Sequence, residues 1–88
     1  MNGSVTQYWY ESCPKCDHQG RLFLCEDRTQ NRIYLHCEEC EAGYFDPNDI
    51  SKESSILMLL VDIESEPATL KRIKELGWEE YAAHEVTA

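Results

Sequence analysis

Positive charge is scarce in this chain. Its 88 residues carry 8 Lys and Arg against 17 Asp and Glu, a formal net charge of −9. Both halves share the deficit: up to Phe45 there are 4 basic and 7 acidic residues, and after it 4 and 10. Neither half offers the basic stripe that neutralises phosphates or anionic headgroups, so direct nucleic-acid binding is disfavoured and a membrane surface is not an expected partner. Long apolar runs are also missing. The longest, ILMLLV at 56–61, is far short of the roughly 20 residues that span a bilayer. MNGSVTQYWYES at the start has no basic stretch followed by an apolar one, so no secretory signal is read and cytoplasm is the expected compartment. No Ser/His/Asp or Cys/His set suggests an activated nucleophile, and the acids are scattered. The expectation is that the chain is not an enzyme.

What is present is globular: 42% hydrophobic and 10% aromatic residues, read as a single domain over 1–88. VTQYWY at 5–10, RLFLC at 21–25 and RIYLH at 32–36 are strand candidates, rich in β-branched and aromatic residues. EDRTQN between the last two is a hairpin loop without the Asn-Gly signature. Gly43 to Phe45 adds a short fourth strand. From Asp49 the pattern turns helical, with Asp49 or Ser51 as N-cap and Leu57, Leu60, Val61 and Glu64 at helical spacing. A buried strand at 56–63 is the alternative, because that run is nearly continuous. A second helix is capped by Ser65, has Pro67 in its first turn, buries Leu70, Ile73 and Leu76, and stops at Gly77 with Trp78 beyond. Tyr81 to Val86 continues as a short helix or frays. The expected class is therefore α+β: an antiparallel sheet of three to four strands within 5–46, followed by two C-terminal helices within 49–86.

Five cysteines in a reducing compartment, four of them in pairs, favour metal over disulfides. Cys13 and Cys16 are separated by two residues, as are Cys37 and Cys40, with twenty residues between the pairs. Each pair can grip an ion from one tight turn, and the intervening hairpin brings the turns together. A tetrahedral four-sulfur site follows, holding one structural Zn2+. On CPKC, the hairpin and CEEC, the chain resembles the zinc-ribbon family from about Tyr8 to Phe45. That resemblance implies a small antiparallel sheet closed by two knuckles, and says little about function. It also implies glycine at or soon after each second cysteine. Asp17 and Glu41 stand there instead, with Gly20 and Gly43 further on. Rubredoxins share paired knuckles, but Lys15, Glu38 and Glu39 inside the loops argue against a redox iron. Cys25 reads as a small buried hydrophobe. His18 and His36 read as neighbours of ligands rather than ligands.

The remaining signal concerns partners. All three main strands are apolar on both sides, with Tyr8 and Tyr10 opposing Trp9, and Leu22 and Leu24 opposing Phe23 and Cys25. Two helices cover one sheet face, so the other is expected to stay partly open as an apolar-aromatic patch. The candidate anchors are Trp9, Tyr34 and Tyr44, with Glu38, Glu39, Glu41 and Asp46 as an acidic rim. The surplus apolar surface of ILMLLVDI offers a homodimer seam. In size and acidity, though in no motif, the chain is similar to the bacterial immunity proteins that neutralise basic nuclease toxins. The expected partner is accordingly a basic protein such as a toxin domain. The competing expectation is an adaptor in a transcription or translation assembly.

Overall fold

The computed structural model describes residues 6–51, 55–58 and 62–87. Seven strands run through it: β1 (Thr6–Ser12), β2 (Arg21–Asp27), β3 (Arg32–Cys37), β4 (Ala42–Tyr44), β5 (Ile56–Leu57), β6 (Ser65–Pro67) and β7 (His84–Thr87). They join one antiparallel sheet in the order β5-β4-β3-β2-β1-β7, with β6 also pairing β2. Among the described residues one short helix, α1 (Leu70–Glu75), and two full 3-10 turns, Pro47–Asp49 and Glu79–Tyr81, accompany the sheet.

The first four strands lie where β-propensity put them. The β2–β3 hairpin owes its turn to Asp27, whose Oδ1 accepts from the backbone N–H of Thr29 (2.9 Å) and Gln30 (3.1 Å). Its Oδ2 accepts from Arg32 Nε at 3.0 Å, and Asn31 takes the left-handed φ of 58° that closes the loop. A buried Asx turn thus replaces the missing Asn-Gly pair.

The expectation of two C-terminal helices is corrected. Ile56–Leu57, placed in the first helix, is a strand on the edge of β4, pairing Ala42 with Leu57 and Gly43 with Ile56. This short strand falls within the alternative weighed for 56–63; residues 52–54 and 59–61 lie outside the described part. Ser65 does not cap the second helix. It begins β6, which pairs Asp27 with Ser65 and Cys25 with Pro67. Nor does the chain end in a helix or fray: β7 pairs along β1 from Thr6↔Thr87 to Trp9↔His84. The physical reason is shared. Strands β1, β2 and β4 each left a row of backbone N–H and C=O groups unpaired, and short tail segments satisfy them.

What survives of the second helix is its C-terminal half. Thr69 caps it, accepting from the Arg72 N–H at 3.3 Å. Gly77, at φ 78°, ends it with a paired closure: Trp78 N–H to Ile73 C=O (2.9 Å) and Gly77 N–H to Lys74 C=O (3.2 Å). Ile73 is fully buried, Leu76 packs partly and Leu70 stays 38% exposed. The core lies between α1 and one sheet face, where Leu22, Leu24, Ile33, Leu35, Ala42 and Tyr44 meet Ala68 and Ile73. Tyr10, Trp78 and Tyr81 seal its edge, with Tyr10 and Tyr81 edge-to-face at 5.1 Å. Arg72 fastens α1 to the hairpin through Glu26 (2.9 Å) and Asn31, and also bonds Glu75. Its neighbours Lys71 and Lys74 are the solvated residues of that cluster.

Ile73→Ala is expected to lower stability by about 2–5 kcal/mol, as for a fully buried aliphatic side chain. Gly77→Ala meets no atom within 4 Å and should cost only about 1 kcal/mol, for the left-handed backbone alone. Urea unfolding followed by tryptophan fluorescence separates the two; equal losses would contradict the packing described.

Candidate metal centre

Four sulfurs converge at one end of the sheet. Cys13 and Cys16 leave β1, Cys37 ends β3 and Cys40 precedes β4, and their Sγ atoms all lie within 4.8 Å of one another. Cys13–Cys40 and Cys16–Cys37 are each separated by 3.7 Å. A tetrahedron with metal–sulfur bonds of about 2.3 Å has edges of about 3.8 Å, so the donor set fits one ion of that kind. The cluster could hold a metal ion with its four cysteines alone. His18 bonds Ser12 Oγ at 2.7 Å through Nδ1, and His36 bonds Glu41 at 2.9 Å through Nε2.

The turns are shaped for sulfur. In the second knuckle the backbone N–H of Glu39 and Cys40 donates to Cys37 Sγ at 3.3 and 3.4 Å. In the first, Cys13 N–H donates to Gly20 C=O (2.8 Å) and His18 N–H to Cys13 C=O (2.8 Å). Asp17, His18 and Glu41 take left-handed φ values of 56°, 64° and 61°. Non-glycine residues therefore adopt the knuckle backbone, at a cost of roughly 1–2 kcal/mol each. Glycine is used for a different purpose. A Cβ on Gly20 would lie 2.6 Å from Cys37 Sγ and 2.9 Å from the Glu39 side chain, so the two knuckles close because position 20 has no side chain.

Burial and hydrogen bonding pull the thiols apart. Burial pushes Cys37 up, whereas at Cys16 its effect is outweighed by hydrogen bonds from Gly20, Cys37, Cys13 and Gln19 that hold the thiolate. A divalent ion would deprotonate all four and, with its shell closed, leave no position for water. Tyr44 sits against this cluster from the core. Burial and the nearby Cys13 sulfur push its phenol up, and its hydroxyl donates to Ser51 C=O at 2.9 Å.

The residues expected to meet a partner are dispersed. Trp9 lies half-buried on the sheet face away from α1, stacked on His84 at 4.2 Å. Tyr34 shares that face but is only 1% exposed, stacked under Phe45 at 5.1 Å. Tyr44 is in the core. Glu38 is held by Arg21 through three hydrogen bonds of 2.7 to 3.0 Å, and that contact draws its carboxyl below the usual range. Glu41 bonds His36, Asp46 caps the first 3-10 turn through Asn48 N–H, and Glu39 is exposed. Two aromatic residues outside the expected set are half-buried on the face of Trp9: Phe23, with Arg21 stacked between it (5.0 Å) and Trp9 (5.8 Å), and Phe45, under Arg32 at 3.9 Å. Strand alternation had put Phe23 on that side; no local signal marked Phe45.

The purified chain is expected to hold about one zinc per molecule, and a strong chelator should unfold it. Gly20→Ala should weaken metal retention while leaving every ligand in place; unchanged retention in a chelator competition would contradict the close approach. Cys25, which burial pushes up to about 12 from 9.0, should resist iodoacetamide at about pH 8 in the folded chain and react once unfolded. Because its folded pKa is raised, the stability it contributes is present below pH 9.0 and lost as pH rises towards about 12. Alkaline unfolding of Cys25→Ala should therefore be less steep across that window. No helix among the described residues is long and apolar enough to cross a membrane. No family model matches the chain, and neither a curated protein nor a solved structure matches it.

Proposed function

We propose that the chain is a non-enzymatic protein-binding module, stabilised by one structural zinc of the zinc-ribbon kind, that takes a basic partner on the open face of its sheet. The observation that carries this reading is that Trp9, Phe23 and Phe45 are all half-buried on the face opposite α1, in a chain of net charge −9. Rigid aromatics with few rotatable bonds are the side chains that anchor interfaces. The negative field speeds encounter with a cationic surface, and the aromatics slow release.

The arginines do not form a phosphate-binding stripe. Arg21, Arg28, Arg32 and Arg72 each pair with a carboxylate inside the chain, which supports a protein partner over nucleic acid. A zinc tetrathiolate would add two further negative charges to the chain. In size and acidity the chain is similar to immunity proteins, and neutralisation of a basic toxin such as a nuclease, in the cytoplasm, is the use we assign to it. The adaptor reading is favoured by the order knuckle, hairpin, knuckle, and it would place the same face on a transcription or translation component.

The test uses as its probe a basic protein captured by the metal-loaded chain from an extract of its own organism. Its association rate with the metal-loaded chain should fall steeply with added salt. Trp9→Ala and Phe23→Ala should each weaken the complex by about 2 kcal/mol or more, chiefly through faster dissociation. Association indifferent to salt, or tight binding to DNA or RNA at physiological salt, would sink the reading.

A further inference from the structure

The open face is not flat. Gln7, Phe23, Cys25, His36 and Val86 line a concavity of about 350 Å3, closed at one side by the Arg21–Glu38 pair. Its origin lies in the sheet. Two strands share one edge of β2: β1 pairs with it at Ser12↔Arg21 and Trp9↔Phe23, and β6 takes over from Cys25↔Pro67 to Asp27↔Ser65. Where β1 parts from β2 it carries Gln7, cross-paired with Val86 of β7. Gln7 and Val86 on one side and Cys25 on the other therefore cannot close on each other. The hollow is a fork between strands, built by topology and held by backbone hydrogen bonds.

Its chemistry is selective. Phe23, Cys25 and Val86 give it an apolar floor. At its rim Arg21 is ion-paired with Glu38 and His36 is hydrogen-bonded to Glu41, so a buried ionic head finds no unpaired partner there. Ligand pockets range over about 300–1,000 Å3, which leaves this one room for a single large side chain rather than a drug-sized molecule. Beyond the rim the field is that of a chain with net charge −9. An acidic or neutral segment would lose the steering that a cationic one gains.

We propose that this fork is the anchor pocket of the protein-binding face, taking one aromatic or large aliphatic side chain of a basic partner whose neighbouring lysine or arginine stays in solvent within the chain's negative field. This rests on the reading of the chain as a binder of a basic protein. Phe23 lines the floor, Arg21 and Glu38 hold one wall as a fixed pair, and the partner's anchor side chain displaces water from the apolar surface between them.

The experiment is amide chemical-shift mapping of the full, metal-loaded chain with three blocked tripeptides: lysyl-tryptophyl-lysine, lysyl-alanyl-lysine and glutamyl-tryptophyl-glutamate. The first should shift the amides of Phe23, Cys25, His36 and Val86 saturably, and at least about ten-fold more tightly than either of the others. Gln7→Trp, which covers the mouth from the sheet edge, should abolish those shifts while its spectrum and zinc content report an intact fold. Equal binding of the alanyl peptide would overturn the anchor in favour of charge alone. Shifts centred instead on the hollow of Tyr8, Leu70 and Ala82, or no saturable shift, would overturn it as well. The two readings fail separately. A basic protein that binds Gln7→Trp as tightly as the unsubstituted chain overturns the pocket and leaves the binding module standing. Saturable capture of the tryptophyl peptide by a chain that binds no basic protein upholds the pocket and removes the module's proposed partner.

Discussion

Two of the four converging sulfurs are also core residues. Cys13 and Cys37 are fully buried in the same cluster as Leu22, Leu35 and Ile73, so whatever holds the knuckles together also holds the end of the hydrophobic core. A chain this short buries a smaller share of its surface than a large domain does. The knuckles compensate by tying the turn after β1 to the turn after β3, segments otherwise linked only through the hairpin. Gly20 permits that contact and Glu38 reinforces it, because its carboxylate receives both the backbone N–H and the guanidinium of Arg21.

The sheet solves a different problem. A two-knuckle hairpin leaves open edges at β1, β2 and β4, and open edges invite pairing with other chains. Each is closed from within by the C-terminal half: β5 on β4, β6 on the far half of β2, β7 on β1. None of these three is long enough to be stable alone. Together they give one face its cover, since α1 and the turn at Glu79–Tyr81 hang between β6 and β7 and pack over the core. On the opposite face Trp9, Phe23 and Phe45 stay half-buried while Tyr34 is covered, and the contest of β1 and β6 for one edge leaves the fork beside Phe23.

Charge is divided with similar economy. Every arginine is held by a carboxylate: Asp27 is buried and Glu26 nearly so, while the partners of Arg21 and Arg28 lie at the surface. Among the described residues no buried side-chain nitrogen or oxygen lacks a hydrogen-bond partner. The arginines thus serve internal order, and the excess acid is what the surroundings meet. Surface pairs contribute little to stability, whereas Arg32–Asp27 and Arg72–Glu26 each satisfy a carboxylate that water barely reaches.

The sequence by itself determined the four-cysteine cluster, the hairpin between the knuckles, the four leading strands, the helix through Ile73 and its stop at Gly77. These are short-range facts: two-residue cysteine gaps, alternating side chains and one left-handed glycine act within a few residues of themselves. Tertiary structure alone decided that Ile56–Leu57, Ser65–Pro67 and His84–Thr87 are strands. Two to four residues have no period to read, and their conformation depends on which distant edge still lacks hydrogen bonds. It also decided that Tyr34 and Tyr44 are buried, that Glu38 answers Arg21, and that Phe23 and Phe45 stay half-buried. Each of these depends on what crosses a residue from elsewhere in the chain, and that contact exists only once the sheet has closed.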